Sequence, residues 1–248
     1  IIDMNKLYFL LLIFFVSCSS PNYDIVIQNG TVIDGTGSPR FIGTVAITND
    51  KVVYVGPKKN FNAGKTIDAR NKIVSPGFIN MLSWGYNTLL EDGRSLSDLK
   101  QGVTLEIFGE GNSPGPVGKI GGKDFIGFGD AMEKLVKNGV SPNIASFLGA
   151  TNVRKLTVGY ENRDATDFEL KDMEQIVEKG MKEGALGIGS SLIYAPADYA
   201  NTNELITICK VASKFKGKYI SHMRNEGRSV LKALDELITI SKEANIPA

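Results

Sequence analysis

His222 is the single histidine in a chain of 248 residues, and it limits the available chemistry more than any other residue. Imidazole is the commonest side-chain metal ligand and a ready general acid or base near neutral pH. His222 follows the apolar pair Tyr219-Ile220. A histidine satisfied within a core is one reading of a lone imidazole. Its place at the C-terminal end of a strand, where barrel enzymes assemble their sites, favours a ligand. Arg224 and Glu226 follow closely and are suited either to binding substrate or orienting the imidazole, or to forming a surface ion pair. Farther upstream, Glu106 and Glu110 share period-two spacing with Phe108, so Glu106 on its strand could face a barrel interior as a supporting carboxylate. Glu110 lies between Gly109 and Gly111, where a carboxylate taken alone is a solvated turn residue.

These residues are positioned by a strand and helix pattern. From Tyr23 to Asp68 short alternating segments (Asp24 to Gln28, Thr31 to Asp34, Thr44 to Ile47, Lys51 to Val55) are punctuated by Asn29-Gly30, Gly35 and Asn49-Asp50, which predicts a small β-rich domain of hairpins. From Lys72 onward the rhythm changes. Strands are expected at Ile73 to Met81, Val103 to Phe108, Asn143 to Leu148, Leu186 to Ser190 and Lys218 to Ser221. One helix opens at the capping box of Thr166 and Glu169 and stops at Gly184. A second runs from near Asn201 to Gly217, and a third carries Val230, Leu231, Leu234, Leu237 and Ile238 before stopping at Asn245 and Pro247. Repeated strand and helix units imply a parallel sheet, open or closed into a barrel. A complete open sheet is disfavoured because no Gly-rich phosphate loop joins a strand to a helix.

Composition narrows the partners. The chain is 42% hydrophobic and 22% charged, as expected of a globular protein, and 28 Lys plus Arg against 27 Asp plus Glu leave a net charge of +1. That balance provides no global field for nucleic acid or an anionic surface, so a small-molecule partner is expected. The two cysteines, Cys18 and Cys209, lie in different contexts and do not suggest a disulfide framework. Cys209 falls in an apolar-periodic stretch and is expected to be a buried core thiol.

The first residues read as an address. The apolar run Leu7 to Val16, after Asn5 and Lys6, is shorter than the roughly 20 residues of a membrane-spanning helix, and it suits a secretory signal. Ser17-Cys18 resembles a lipobox junction, although Phe15 stands where leucine is usual. An ordinary signal peptide cleaved nearby and an uncleaved anchor are the alternatives; the expectation is a signal over residues 1–20, with Ile1 to Asp3 preceding the start codon, and an exported lipoprotein in the bacterial periplasm or outer membrane, held to the membrane through its N-terminal lipid only.

Several separated blocks carry a family resemblance. Residues 24–35 (DIVIQNGTVIDG), 43–56, Ile67-Asp68-Ala69 and Val74 to Asn80 resemble the opening of amidohydrolases. Residues 102–111 (GVTLEIFGEG), 179–200 (KGMKEGALGIGSSLIYAPADYA) and 219–227 (YISHMRNEG) resemble the D-aminoacylase, or N-acyl-D-amino-acid deacylase, branch. The resemblance implies an α/β fold, a TIM-like metal-dependent hydrolase barrel of which about five strands are present, in residues 73–248, joined to part of a small β-sandwich domain in residues 21–72. It implies hydrolysis of a non-peptide linear amide in an N-acyl amino acid, by part of a longer chain. An inactive exported barrel acting as a binding or scaffold protein is the alternative.

The resemblance also assigns residues. It places Glu110 where the family has a metal-ligating cysteine and His222 at the ligand ending strand five, with one divalent metal, zinc first, as the cofactor. Tyr194 matches a tyrosine near the substrate carboxylate, and Arg224 is a second substrate-binding candidate. A further ligand histidine and the general-base aspartate are expected beyond Ala248. One departure matters: where the family ends strand one with Asp-x-His-x-His, this chain has Asn80-Met81-Leu82-Ser83-Trp84. Leu82 and Trp84 cannot ligate, so a binuclear centre is not expected.

Overall fold

The computed structural model describes residues 23–120, 122 and 124–248. The apolar leader and the Ser17-Cys18 junction lie outside the described residues. The chain forms two compact units, one ending at Pro76 and the other beginning at Gly77.

The first unit is a mixed sheet of strands β1 (Tyr23–Val32), β2 (Phe41–Thr48), β3 (Lys51–Pro57), β4 (Ala63–Asp68) and β5 (Ile73–Val74). Its order is β3-β2-β1-β4, and β5 pairs with β1. β1 with β2 and β2 with β3 are antiparallel, whereas β4 and β5 run parallel to β1. Asn49 and Asp50 both have positive φ, 48° and 61°, the left-handed pair that matches a tight hairpin to strand twist. Asn29-Gly30, expected as a turn, is instead a bulge within β1. Asn29 takes φ 64°, the register against β2 shifts between Gln28 and Gly30, and the strand continues. The Asn29 amide is held by the Asp68 carboxylate at 3.1 Å, so the extra residue is absorbed locally.

The second unit alternates strands and helices. In order it contains β6 (Phe78–Asn80), α1 (Tyr86–Glu91), α2 (Leu96–Lys100), β7 (Val103–Phe108), α3 (Phe128–Asn138), β8 (Asn143–Ser146), β9 (Leu148–Gly149), α4 (Ala150–Thr157), α5 (Asp167–Lys182), β10 (Gly187–Ser191), α6 (Thr202–Lys214), β11 (Lys218–His222) and α7 (Val230–Ala244). Two all-parallel trios, β6-β7-β8 and β9-β10-β11, share a neighbour, because β8 and β9 are one strand interrupted at Phe147. The Phe147 N–H donates to Phe108 O at 2.9 Å and the Leu186 N–H donates to Ser146 O at 3.0 Å. The result is an arc of five parallel strand positions, the parallel sheet that the pattern implied and the partial barrel that the resemblance implied.

The segment read as one strand from Ile73 to Met81 divides. Ile73 and Val74 pair with β1, and Phe78 to Asn80 pair with β7. Ser75-Pro76-Gly77 intervenes, and a proline has no N–H to offer a ladder.

The long helices end where their caps are. The Thr166 hydroxyl accepts from the Glu169 N–H at 3.3 Å while Glu169 accepts from the Thr166 N–H at 2.8 Å; the Asn201 side chain accepts from the Glu204 N–H at 2.9 Å. α7 closes on Asn245 with φ 50°. Between the sheet and these helices lies the main core, with Leu148, Val153, Met173, Ile188, Leu205 and Tyr219 all buried. Cys209 is a free thiol in that core, and burial pushes its pKa up.

Candidate functional site

Glu110 is held by its two glycines. Gly109 has φ +99°, and a Cβ there would meet the Phe147 carbonyl oxygen at 2.1 Å; Gly111 has φ +93°, and a Cβ there would meet Ser191 Oγ at 2.5 Å. Only glycine allows this turn to lie against the adjoining strand ends. Ser191 Oγ then donates to Glu110 O at 3.0 Å and the Thr151 N–H donates to Gly111 O at 3.1 Å. The turn is thereby fixed from β10 and α4, and the carboxylate points toward β11.

His222 ends β11 opposite Ser191, and its carbonyl accepts the Leu192 N–H at 2.9 Å. Nδ1 lies 3.9 Å from Glu110 Oε2, and Nε2 lies 3.3 Å from Glu226 Oε1. The imidazole is thus flanked by carboxylates on both ring nitrogens. Burial pushes the Glu110 carboxyl above the usual range; His222 opposes that shift and Glu226 adds to it. The Tyr194 ring tilts against the imidazole with centroids 5.6 Å apart.

Glu110, His222 and Tyr194 line one cavity of ≈ 420 Å³, and Leu82 and Trp84 line it with them. Its remaining polar wall comes from Asn112, Thr151 and Ser191. Asn112 Oδ1 accepts from Lys155 Nζ at 3.2 Å, which leaves the asparagine's amide hydrogens available to a ligand. The helix bearing Thr151 and Lys155 is anchored from below: Arg154, fully buried, pairs with Glu204 at 2.5 Å and donates to the carbonyls of Glu161 and Arg163.

Two further candidates are engaged by protein partners. Arg224 directs Nε and Nη2 to the Glu236 carboxylate, each at 2.9 Å, and donates to the carbonyls of Asp198 and Ala200 at 2.7 Å. Its fork braces the β10 loop against α7, and one hydrogen on Nη1 remains for any substrate. Glu106 is 2% exposed and accepts from Ser83 Oγ at 2.7 Å and Ser95 Oγ at 2.5 Å, away from the Glu110 cavity. Glu226, by contrast, does reach the histidine.

Asn112, Thr151, Ser191 and Lys155 escape a sequence reading because each lies beside glycines or in a buried run, with no spacing of its own. Among the described residues no group of three or more His, Cys, Asp or Glu could hold a metal. Glu110 and His222 supply two donors of the right kind. Ligands about 2.1 Å from a tetrahedral zinc stand roughly 3.4 Å apart. The observed 3.9 Å therefore needs only a small side-chain adjustment.

No protein-family model matches the chain. A D-aminoacylase of Alcaligenes xylosoxydans xylosoxydans is 30% identical over 241 residues, covering 92% of this chain and 50% of that enzyme. The chain is a homologue of the D-aminoacylases. A D-aminoacylase structure described by its binuclear metal centre, with one-metal activation and second-metal attenuation, superimposes with a TM-score of 0.83 at 30% identity, over 91% of this chain and 50% of that one. An N-acyl-D-glutamate deacylase from Bordetella bronchiseptica, complexed with zinc and a phosphonate mimic of the tetrahedral intermediate, gives 0.83 at 25% identity over the same shares. The fold is that of an amidohydrolase, and the chain spans about half the length of the curated relatives it matches.

Proposed function

We propose that this chain is the part of an N-acyl-D-amino-acid deacylase that binds one divalent metal, zinc, and one N-acyl amino acid, for hydrolysis of the linear amide. The observation that carries this reading is the approach of Glu110 Oε2 to His222 Nδ1 at 3.9 Å, at the C-terminal ends of strands in an amidohydrolase fold. Support for zinc comes from the similar N-acyl-D-glutamate deacylase structure, which is complexed with zinc and a mimic of the tetrahedral intermediate. When bound, the metal would polarise the amide carbonyl and lower the pKa of its water.

The chain's own residues do the rest. Glu226 beside Nε2 fixes the imidazole tautomer, which turns the Nδ1 lone pair toward Glu110. A carboxylate in place of a thiolate makes the donor set harder, so the preference for zinc over manganese or iron narrows. Asn112 and Tyr194 line the cavity and are the donors proposed for the substrate carboxylate. One metal suffices here, in line with the relative described as activated by one and attenuated by a second.

A binding protein without turnover is the second reading, favoured by Leu82 and Trp84 at two ligand positions. The natural reading frame, purified with zinc, separates the two by release of free amino acid from N-acetyl-D-amino acids. Hydrolysis stopped by a chelator and lowered in His222→Ala by more than the roughly 100-fold seen for residues that merely support a ligand is the expected result. Chelator-insensitive hydrolysis overturns the metal reading, and tight binding without release supports the second one.

A further inference from the structure

Thr151 carries a hydroxyl that the fold does not use. The residue is 4% exposed and its N–H is spent on Gly111 O, yet among the described residues its side chain has no hydrogen-bond partner. Arg154 Nε is the only fully enclosed side-chain polar atom among them that lacks one. The Thr151 oxygen is therefore not fully enclosed, and the surface that Thr151 retains lies in the cavity of Glu110 and His222. Folded proteins satisfy nearly all their buried polar groups. A buried hydroxyl left free at a cavity that also holds convergent polar groups points to a ligand.

Lys155 stands one turn farther along α4, and residues four apart share a helix face. Its Nζ donates to Asn112 Oδ1 at 3.2 Å, and Asn112 lines the same cavity as Thr151. The ammonium lies 5.4 Å from the centre of the Tyr160 ring, and among the described residues it pairs with no carboxylate. Two of its three hydrogens remain for another acceptor. Arg154 and Arg224, by contrast, are paired with Glu204 and Glu236. Glu110 lines the cavity and Glu226 lies against His222, so an entering anion meets two like charges. Lys155 is the cation beside the cavity that is free to offset them.

We propose that Thr151, Lys155 and Asn112 form a carboxylate-binding subsite, in which Lys155 supplies the charge and makes the site specific for a free acid over the corresponding amide. The two oxygens of a carboxylate can accept from all three side chains. This rests on the deacylase reading above and adds a cation to it. An α-carboxylate and a side-chain carboxylate offer the same chemistry, and the test separates them.

The test uses the natural reading frame purified with zinc, unmodified and as Lys155→Met, Lys155→Arg and Thr151→Val. The probes are N-acetyl-D-alanine, N-acetyl-D-alaninamide, N-acetyl-D-aspartate and the α-amide of N-acetyl-D-aspartate. Release of primary amine gives kcat and KM, and calorimetry gives Kd for any probe that is not turned over. A hydrogen bond to a charged group is strong enough for the unmodified protein to prefer N-acetyl-D-alanine over its amide by about 10- to 100-fold. Lys155→Met should remove most of that preference through KM, Lys155→Arg should keep most of it, and Thr151→Val should reduce it by a few-fold. A merely structural loss would weaken acid and amide alike and leave their ratio unchanged.

Preference confined to the two aspartate compounds, and kept in the α-amide, assigns the subsite to the side-chain carboxylate. Equal affinity for acids and amides, or a full preference retained in Lys155→Met, overturns the subsite while leaving the deacylase reading intact. A preference that depends on Lys155 with no turnover of any probe supports the subsite and rejects the deacylase. An unchanged preference in Thr151→Val overturns the part given to the hydroxyl. If Thr151→Val does not fold, the unmodified protein and the two Lys155 variants still decide.

Discussion

Ser83 donates a 2.7 Å hydrogen bond to Glu106, a carboxylate that is 2% exposed, and Ser95 donates to the other oxygen at 2.5 Å. One buried acid on β7 therefore fastens both the turn bearing Leu82 and Trp84 and the residue that opens α2. Removing a partner from a buried carboxylate leaves it short of a donor, which costs on the order of 1–3 kcal/mol. Ser83→Ala is expected to lower the unfolding free energy by about that amount and to shift the Trp84 emission. Urea melts followed by fluorescence measure both, and an unchanged midpoint with unchanged emission would show that the bond is dispensable.

Much of this arrangement was legible in the residues themselves. The five parallel strand positions follow from apolar segments bounded by turns, and α5, α6 and α7 follow from the Thr166 capping box, the Asn201 cap and the Asn245 stop. α1 to α4 were not legible. α1 and α2 are only six and five residues long, too short for periodicity to announce them; α3 does bury Phe128, Ala131 and Leu135 on one face, but none of the four has a side-chain hydrogen bond at its N-cap to mark its start. Asn29-Gly30 misled because the signals for a turn and for a bulge are the same; pairing with β2 and Asp68 decides between them. Near the site, His222 stood out as the sole imidazole. The capture of Arg224 by Glu236 depends on α7 folding back, and nothing in the spacing of those residues reveals that.

Acid stability has a local source in the Thr166 capping box. The Glu169 carboxyl is held down at about 2, first by the Arg163 guanidinium and then by the Thr166 N–H. Because its pKa is lower folded than unfolded, the folded state binds fewer protons, and the contribution is present above about 4.5 and lost as pH falls toward 2. Glu169→Gln is expected to reduce stability at neutral pH and to flatten its decline across that window, with the two proteins converging below it. Thermal midpoints taken from pH 2 to pH 7 on both proteins measure this. Parallel curves would show that the capping box carries no proton linkage.

The number of metals follows from the strand-one turn. Leu82 and Trp84 line the same cavity as Glu110 and His222, and neither side chain carries a donor atom suited to a metal. With Glu110 and His222 as the donors, elemental analysis of the natural reading frame, after dialysis against buffer without chelator, is expected to find about one zinc per chain. Glu110→Ala and His222→Ala should each lose most of it. Leu82→His combined with Trp84→His should raise the content toward two, because residues at alternate positions of an extended segment project to the same side. Two tightly held ions in the unmodified protein would mean that other side chains complete a second site, and the role given to Leu82 and Trp84 would then be wrong.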